Sequence, residues 1–343
     1  MSPFVAALLI QDGLSNGAIY CLLALALVLV FSVTRVIFIP QGEFVSYAAL
    51  SFIMLRDGRP PGTAGLLLVM VAIAAVMVVA GGVRAGEVGA VPRELVRVCG
   101  IPLVLACVAY GAARVALPPV ADAVVAIAVV AAMGPLLYRI VYRPLAGAST
   151  LVLLIVAVAN HLIMLGLGLY FFGPGGGRAE PLVDMAFVLG GVRVRAQTLI
   201  ILGTCGVLAL ALWVASERTL YGKALRAASV NPVGARLMGI SAELSGEIAF
   251  GVAALIGGVS GVLISAGTTI YYDSGFLFGL KGFVAAIAGG LASFPLAAGG
   301  AFGVGLLESF SAFYASGLKE VLVFALIIPV LLWRSLDARA EAG

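Results

Sequence analysis

The chain has 343 residues, 63% of them hydrophobic and 10% charged, with a mean hydropathy of +1.19. A soluble domain is usually about a quarter charged, so a water-soluble fold is excluded, and no stretch is polar enough to build a separate soluble domain. The formal net charge of +4 is small for this length; it gives no footprint for nucleic acid and reads as the positive-inside bias of a membrane protein.

A helix that crosses a bilayer needs about 20 mostly apolar residues. On that measure residues 1–343 form a single transmembrane domain, an all-α integral membrane protein built as a polytopic bundle of about 9–11 transmembrane segments with short cytoplasmic coupling helices. The candidate spans in the first half are Gly13 to Thr34, Gly42 to Leu55, Thr63 to Val83, Ile101 to Leu117, Ala121 to Tyr142 and Ser149 to Phe172. Those in the second half are Gln197 to Ala215, Glu247 to Ile270, Gly282 to Phe294, Leu296 to Ala315 and Val321 to Trp333. The segments beginning at Gly42 and Gly282 are short and are expected to be re-entrant or broken. The first basic residue is Arg35, so no cleaved leader is expected and the first apolar segment is retained.

Twelve of the 20 lysines and arginines, among them Arg84, Arg93, Arg97, Arg139, Arg143 and Arg226, fall in inner loops if the N-terminus is outside and the C-terminus cytoplasmic. The others, including Arg56, Arg178 and Lys281, then fall in outer loops or at boundaries. Two loops are long. The outer one, Gly173 to Ala196, opens on Gly-Pro-Gly-Gly-Gly and then alternates in Val192-Arg193-Val194-Arg195, which predicts a turn followed by a strand or hairpin; its plainest alternative is a linker.

The inner loop, 217–243, predicts two short helices. The first, around Leu220 to Ser229, must stop before Pro232. Asn231 then stands as an N-cap, Pro232 at the first helical position and Gly239 just past the end. Val233 and Leu237 share one face of the second helix while Arg236 points elsewhere. Such a segment can lie across the base of the membrane domain and present one side to a partner.

Chemical motifs are missing. No GxxxxGK[ST] loop occurs, since Gly222-Lys223-Ala224 lacks the hydroxyl residue, and no HExxH or GxSxG appears. The chain is therefore expected to be no enzyme, to have no ATPase site and to need no cofactor. The four cysteines are scattered and read as small membrane-buried fillers, and one histidine, His161, is too few for a histidine metal site. No internal repeat is legible.

Within the apolar runs, Gly257/Gly261 and Gly299/Gly303 are small-xxx-small pairs of the kind that let helices approach closely. Gly289-Gly290 and Pro295 are expected to break a helix in the membrane beside protein or a wet cavity, which makes them candidates for a translocation pathway. Glu43, Glu247, Glu308, Asn160 and His161 lie in apolar surroundings, where function is the default suspicion. Glu43 and Glu247 are equally readable as first-turn carboxylates favoured by a helix N-terminus, and Asn160 and His161 as interhelical hydrogen-bond partners.

Three stretches resemble the membrane permeases of branched-chain (hydrophobic) amino acid ABC importers, of the LivH type: "NGAIYCLLALALVLVF" from Asn16 with "PQGEF" from Pro40, the inner loop "YGKALRAASVNPVGARLMGIS" from Tyr221, and the Gly-rich run from Gly279. Phe38, Gln41 and Tyr138 depart from residues common in that family, and a segment around Arg84 to Pro119 resembles an addition. The resemblance implies a permease subunit in a bacterial inner membrane that works by alternating access. Its expected partners are a second permease, two cytoplasmic ATP-binding cassette ATPases, an extracytoplasmic solute-binding protein and membrane lipid. Gly222, Arg226, Asn231, Arg236 and Gly239 would couple it to the ATPases, and Glu43, Gly289, Gly290 and Pro295 would belong to the pathway. The implied solute is a branched-chain or other apolar amino acid, or a small amide such as urea. The alternative is an ion-coupled secondary transporter, which would need midplane carboxylates and two similar halves.

Overall fold

A computed structural model describes residues 2–183, 185–189, 192–220, 222–224, 234, 237–239, 241–291 and 293–332. The helices are α1 (Pro3–Thr34), α2 (Gln41–Arg56), α3 (Gly62–Ala85), α4 (Val91–Ala112), α5 (Pro119–Leu137), α6 (Thr150–Phe172), α7 (Ala196–Arg218), α8 (Ala242–Ile264), α9 (Ser274–Ala288), α10 (Phe294–Tyr314) and α11 (Lys319–Ala325). Local chemistry sets several starts. Ser149 and Ser241 cap α6 and α8 by accepting from the N–H groups of Val152 and Leu244, and Pro119 opens α5 where its missing N–H costs nothing.

Among the described residues, eight helices are long and apolar enough to cross a membrane: α1, α3 to α8 and α10. The candidates beginning at Gly42 and Gly282 correspond to the shorter α2, 16 residues, and α9, 15 residues and shifted to Ser274–Ala288. The last candidate is interrupted by a turn at Leu326. The chain is an all-α polytopic membrane protein. Among the described residues its one sheet is the hairpin of β1 (Ala186–Leu189) and β2 (Val192–Arg195), paired antiparallel in the long loop where strand-like alternation predicts it.

α1 is the central post. Nearly every residue from Ala18 to Val30 is buried, because α7, α8, α9 and α10 surround it, one of the two settings, protein interior or lipid, that a helix apolar on all sides accepts. α3, α4 and α7 instead leave residues such as Val76, Ile101 and Val207 exposed, as lipid-facing helices do.

The helices fall into two matching triplets. α1 packs on α10, α10 on α9 and α9 on α2; in the same way α8 packs on α5, α5 on α2 and α2 on α9. The register of contacts gives directions: Gly13 and Gly17 meet Leu306 and Phe302 in reverse order, and Gly134 and Gly258 meet Phe250 and Ile127 likewise, so α1/α10 and α5/α8 are both antiparallel. α2 runs parallel to α8, with Phe44 on Gly257 and Val45 on Gly261. The first triplet, α1–α2–α5, thus has an upside-down counterpart in α8–α9–α10. α3, α4, α6, α7 and α11 lie outside the two triplets; α3 and α4 form a hairpin between α2 and α5. The sequence hides this repeat, since the correspondence around the second helix of each triplet is only "IFIPQG" (residues 37–42) against "IYYDSG" (residues 270–275).

Candidate functional site

In each triplet an irregular stretch replaces the start of the second helix. After α1, Arg35 turns the chain with φ 59°, and residues 36–40 run irregularly to α2. α2 begins at the middle of α8: the Gln41 side-chain amide donates to the Ala253 carbonyl at 2.9 Å. Irregular backbone at that depth must be covered by protein. Phe38 provides the cover, fully buried with its ring 4.8 Å from Phe250, 5.7 Å from Phe44 and 5.9 Å from Tyr142. The equivalent stretch before α9, residues 265–273, is clasped by the long loop: Gly177 bridges Ile270, Ala179 N–H donates to Ser265 O at 3.0 Å, and the Arg178 guanidinium donates twice to Ala266 O. That loop is therefore a structural brace as well as a connection.

The two short helices cross where Gly42 meets Gly275. A Cβ on Gly42 would overlap the Gly275 carbonyl, and one on Gly275 would overlap the Gly42 carbonyl, so the contact is reciprocal. Around this crossing lies a buried polar cluster. Glu43, in the first turn of α2, has no exposed surface, and its Oε1 lies 2.8 Å from Nδ1 of His161 on α6. The His161 ring stacks on Phe276 of α9, centroids 4.4 Å apart. Tyr47 donates to the Met164 carbonyl, tying α2 to α6 a second time. Glu43 Oε2, Gln41 Oε1 and Ser46 Oγ are buried without hydrogen-bond partners among the described residues. Each such atom costs about 1–3 kcal/mol; the Glu43 and Gln41 oxygens are acceptors, so the arrangement suits a hydrogen-bond donor or a cationic group.

A second polar cluster joins α1, α9, α10 and α11. Lys281 Nζ donates to Glu308 Oε1 at 2.6 Å and to Glu320 Oε1 at 3.2 Å, and Tyr20 donates to the other Glu308 oxygen. The placement of Lys281 at an outer boundary is thereby corrected: it is buried in α9 beside two carboxylates. Glu247 is half-buried and 3.8 Å from Arg139.

Other expected site residues fall elsewhere. Gly289, Gly290 and Pro295 do not interrupt one span; they make the turn from α9 to α10, with Gly290 at φ 63° and Leu291 at φ 56°. They sit at the far end of α9 from the crossing, roughly 20 Å from Glu43 at 1.5 Å per residue. Gly257 and Gly261 lie against α2 as a close-packing pair should, whereas Gly299 and Gly303 face open space. In the inner loop, Gly222 packs on the backbone of Ala215 and Ser216 and donates to Thr219 Oγ1 at 3.0 Å, and Gly239 takes φ 81°. Arg226, Asn231 and Arg236 lie outside the described residues. The sequence marks Glu43, His161 and Glu308 as polar groups in apolar runs, but not Ser46, Phe276 or the pairing of Lys281 with Glu308 and Glu320.

Paired, oppositely directed broken helices within a bundle of apolar spans define a polytopic membrane protein of the permease kind. Residues 96–331 match the family described as branched-chain amino acid transport system / permease component, and the chain belongs to it. Similar proteins include the high-affinity branched-chain amino acid transport system permease protein BraD of Pseudomonas aeruginosa, 29% identical over 215 residues, covering 61% of this chain and 70% of the relative. LivH of Escherichia coli, a permease protein of the same description, is 30% identical over 217 residues, covering 60% and 70%. LivH of Salmonella typhimurium is 29% identical over the same length.

Proposed function

We propose that the chain is one of two membrane permeases of an ATP-driven importer for branched-chain or similarly apolar amino acids. The observation that carries this reading is the family match over residues 96–331, which takes in the α9 side of the helix crossing as well as the inner loop. In this reading a second permease completes the pore, two ATP-binding cassette ATPases press on loop 217–243, and a solute-binding protein delivers from outside. The N-terminus lies outside and the C-terminus in the cytoplasm.

The polar start of α2 is the pathway element, with Glu43 and its free oxygen close to where the solute's charged backbone groups pass; Gly289, Gly290 and Pro295, in the turn at the other end of α9, belong to the same pathway. Gly239 ends the coupling helix, and its left-handed backbone suits glycine. Gly222, Arg226, Asn231 and Arg236 complete the ATPase contact.

The test is to reconstitute the full complex and measure uptake and ATP hydrolysis together. Gly239→Val and Arg236→Glu should each leave an assembled complex that hydrolyses ATP without importing solute. Normal uptake by both variants would reduce loop 217–243 to a connector. Uptake by the chain without ATPases, driven by an ion gradient, would favour the secondary transporter, for which the Glu43–His161 pair would be the coupling group.

A further inference from the structure

A cleft of about 1000 Å³ opens at the membrane edge on the end of the bundle that carries loop 217–243. Its walls are the last turns of α3, the first turns of α4, the turn at residues 139–144 and the start of α8. Its lining combines the apolar Met77, Val78 and Val91 with Arg93, Arg97, Arg139 and Arg143 and three glutamates. The charges are not all spoken for. Arg139 pairs with Glu94 and Arg143 with Glu243, which leaves Arg97 with a loose 3.9 Å approach to Glu94, and Arg93 with no ion pair among the described residues. Both of these arginines are exposed.

Beside the cleft, the hairpin of α3 and α4 exposes apolar side chains, Val76 and Val79 on α3 and Val96 and Ile101 on α4. Two exposed arginines without a close ion pair, beside an exposed apolar helix surface, match one kind of molecule at both ends. We propose that the cleft binds an acidic phospholipid, with the phosphate held by Arg93 and Arg97 and the acyl chains laid along α3 and α4. The glutamates favour this over a bare polyanion, because a site with three carboxylates at its rim gains little from charge alone and needs the apolar half of the ligand to hold it. The paired Arg139 and Arg143 shape the mouth, and since Arg143 grips Glu243 at the start of α8, the occupied cleft lies against the end of the inner loop.

The experiment uses the full chain in nanodiscs of phosphatidylcholine containing a graded fraction of phosphatidylglycerol, with bound lipid counted by native mass spectrometry and thermal stability read in parallel. Expected is a saturable, retained phosphatidylglycerol and a rise in melting temperature with its fraction. Arg93→Gln/Arg97→Gln should weaken retention about tenfold or more, while Arg97→Lys, which keeps the charge, should retain it. Both positions are exposed, so the variants are expected to fold. Equal retention by the double variant and the parent overturns the assignment to this cleft. Equal stabilisation by phosphatidylcholine overturns the acidic headgroup, and equal stabilisation by inorganic phosphate in detergent makes the site one for a free anion.

Discussion

At the scale of single residues, the membrane interior is where polar groups are most expensive, and this chain gathers them at two places. Lys281 and Glu308, both buried, depend on one another. Removing one partner of such a pair costs about 3–5 kcal/mol, whereas replacing both by neutral groups is close to neutral. Lys281→Met should therefore lower the melting temperature sharply, and Lys281→Met/Glu308→Gln should recover most of the loss; a double variant as unstable as the single one would show that the pair does not act as a unit. Glu43 differs, since one of its oxygens is buried and unused. Glu43→Gln keeps a hydrogen-bond partner for His161, so stability should change by about 1 kcal/mol or less, while uptake by the reconstituted complex should fall. Loss of stability and uptake together would make Glu43 a structural group. Glu43, Glu308 and His161 were legible in the sequence as polar groups in apolar runs, but their partners were not. Phe276 lies 115 residues from His161, and Lys281 sits on a different helix from Glu308, 27 residues away, and nothing local encodes such meetings.

At the scale of elements, glycines decide where helices touch. The sequence marks Gly257/Gly261 and Gly299/Gly303 as alike, yet the first pair lies on α2 and the second on nothing within reach, because a small-residue pair records an opportunity for contact and the fold decides whether a neighbour takes it. Gly42→Ala places a methyl in the Gly275 carbonyl and should prevent assembly of the crossing, read as loss of a monodisperse purified protein. Gly303→Ala should be neutral or stabilising by about 0.5–1 kcal/mol, as for any open helical glycine. The two short helices were visible as short apolar runs, and the Pro-Gln-Gly-Glu start placed α2 to within a residue. α9 was displaced by several residues, because its Gly-rich sequence has no sharp apolar edge.

At the scale of the molecule, composition alone establishes the membrane class, while the inverted pairing of α1–α2–α5 with α8–α9–α10 escapes the sequence. Only backbone shape is repeated there; lipid accepts many apolar residues at each position, so the side chains of the two halves are free to differ. Orientation is testable from outside the cell. Arg178 is occupied in bracing Ala266, so the neighbouring exposed Glu180 and the exposed Lys223 are the better probes. With cysteine at each in turn on a cysteine-free background, an impermeant thiol reagent should label position 180 in intact cells and spare position 223. The reverse pattern would invert the topology.

The meeting of Gly42 and Gly275 has one more consequence. The two glycines occupy equivalent positions in the two triplets and touch each other's backbone, so the pseudo-twofold axis passes between them, and a pivot placed there would serve both halves alike. If one half tilts against the other about this fulcrum by 10°, the far end of α9, a lever arm of roughly 20 Å at 1.5 Å per residue, sweeps roughly 3–4 Å. Glu43, one residue from the fulcrum, moves by well under 1 Å on the same estimate. Under such a tilt the polar cluster would stay nearly still while the ends of the bundle move.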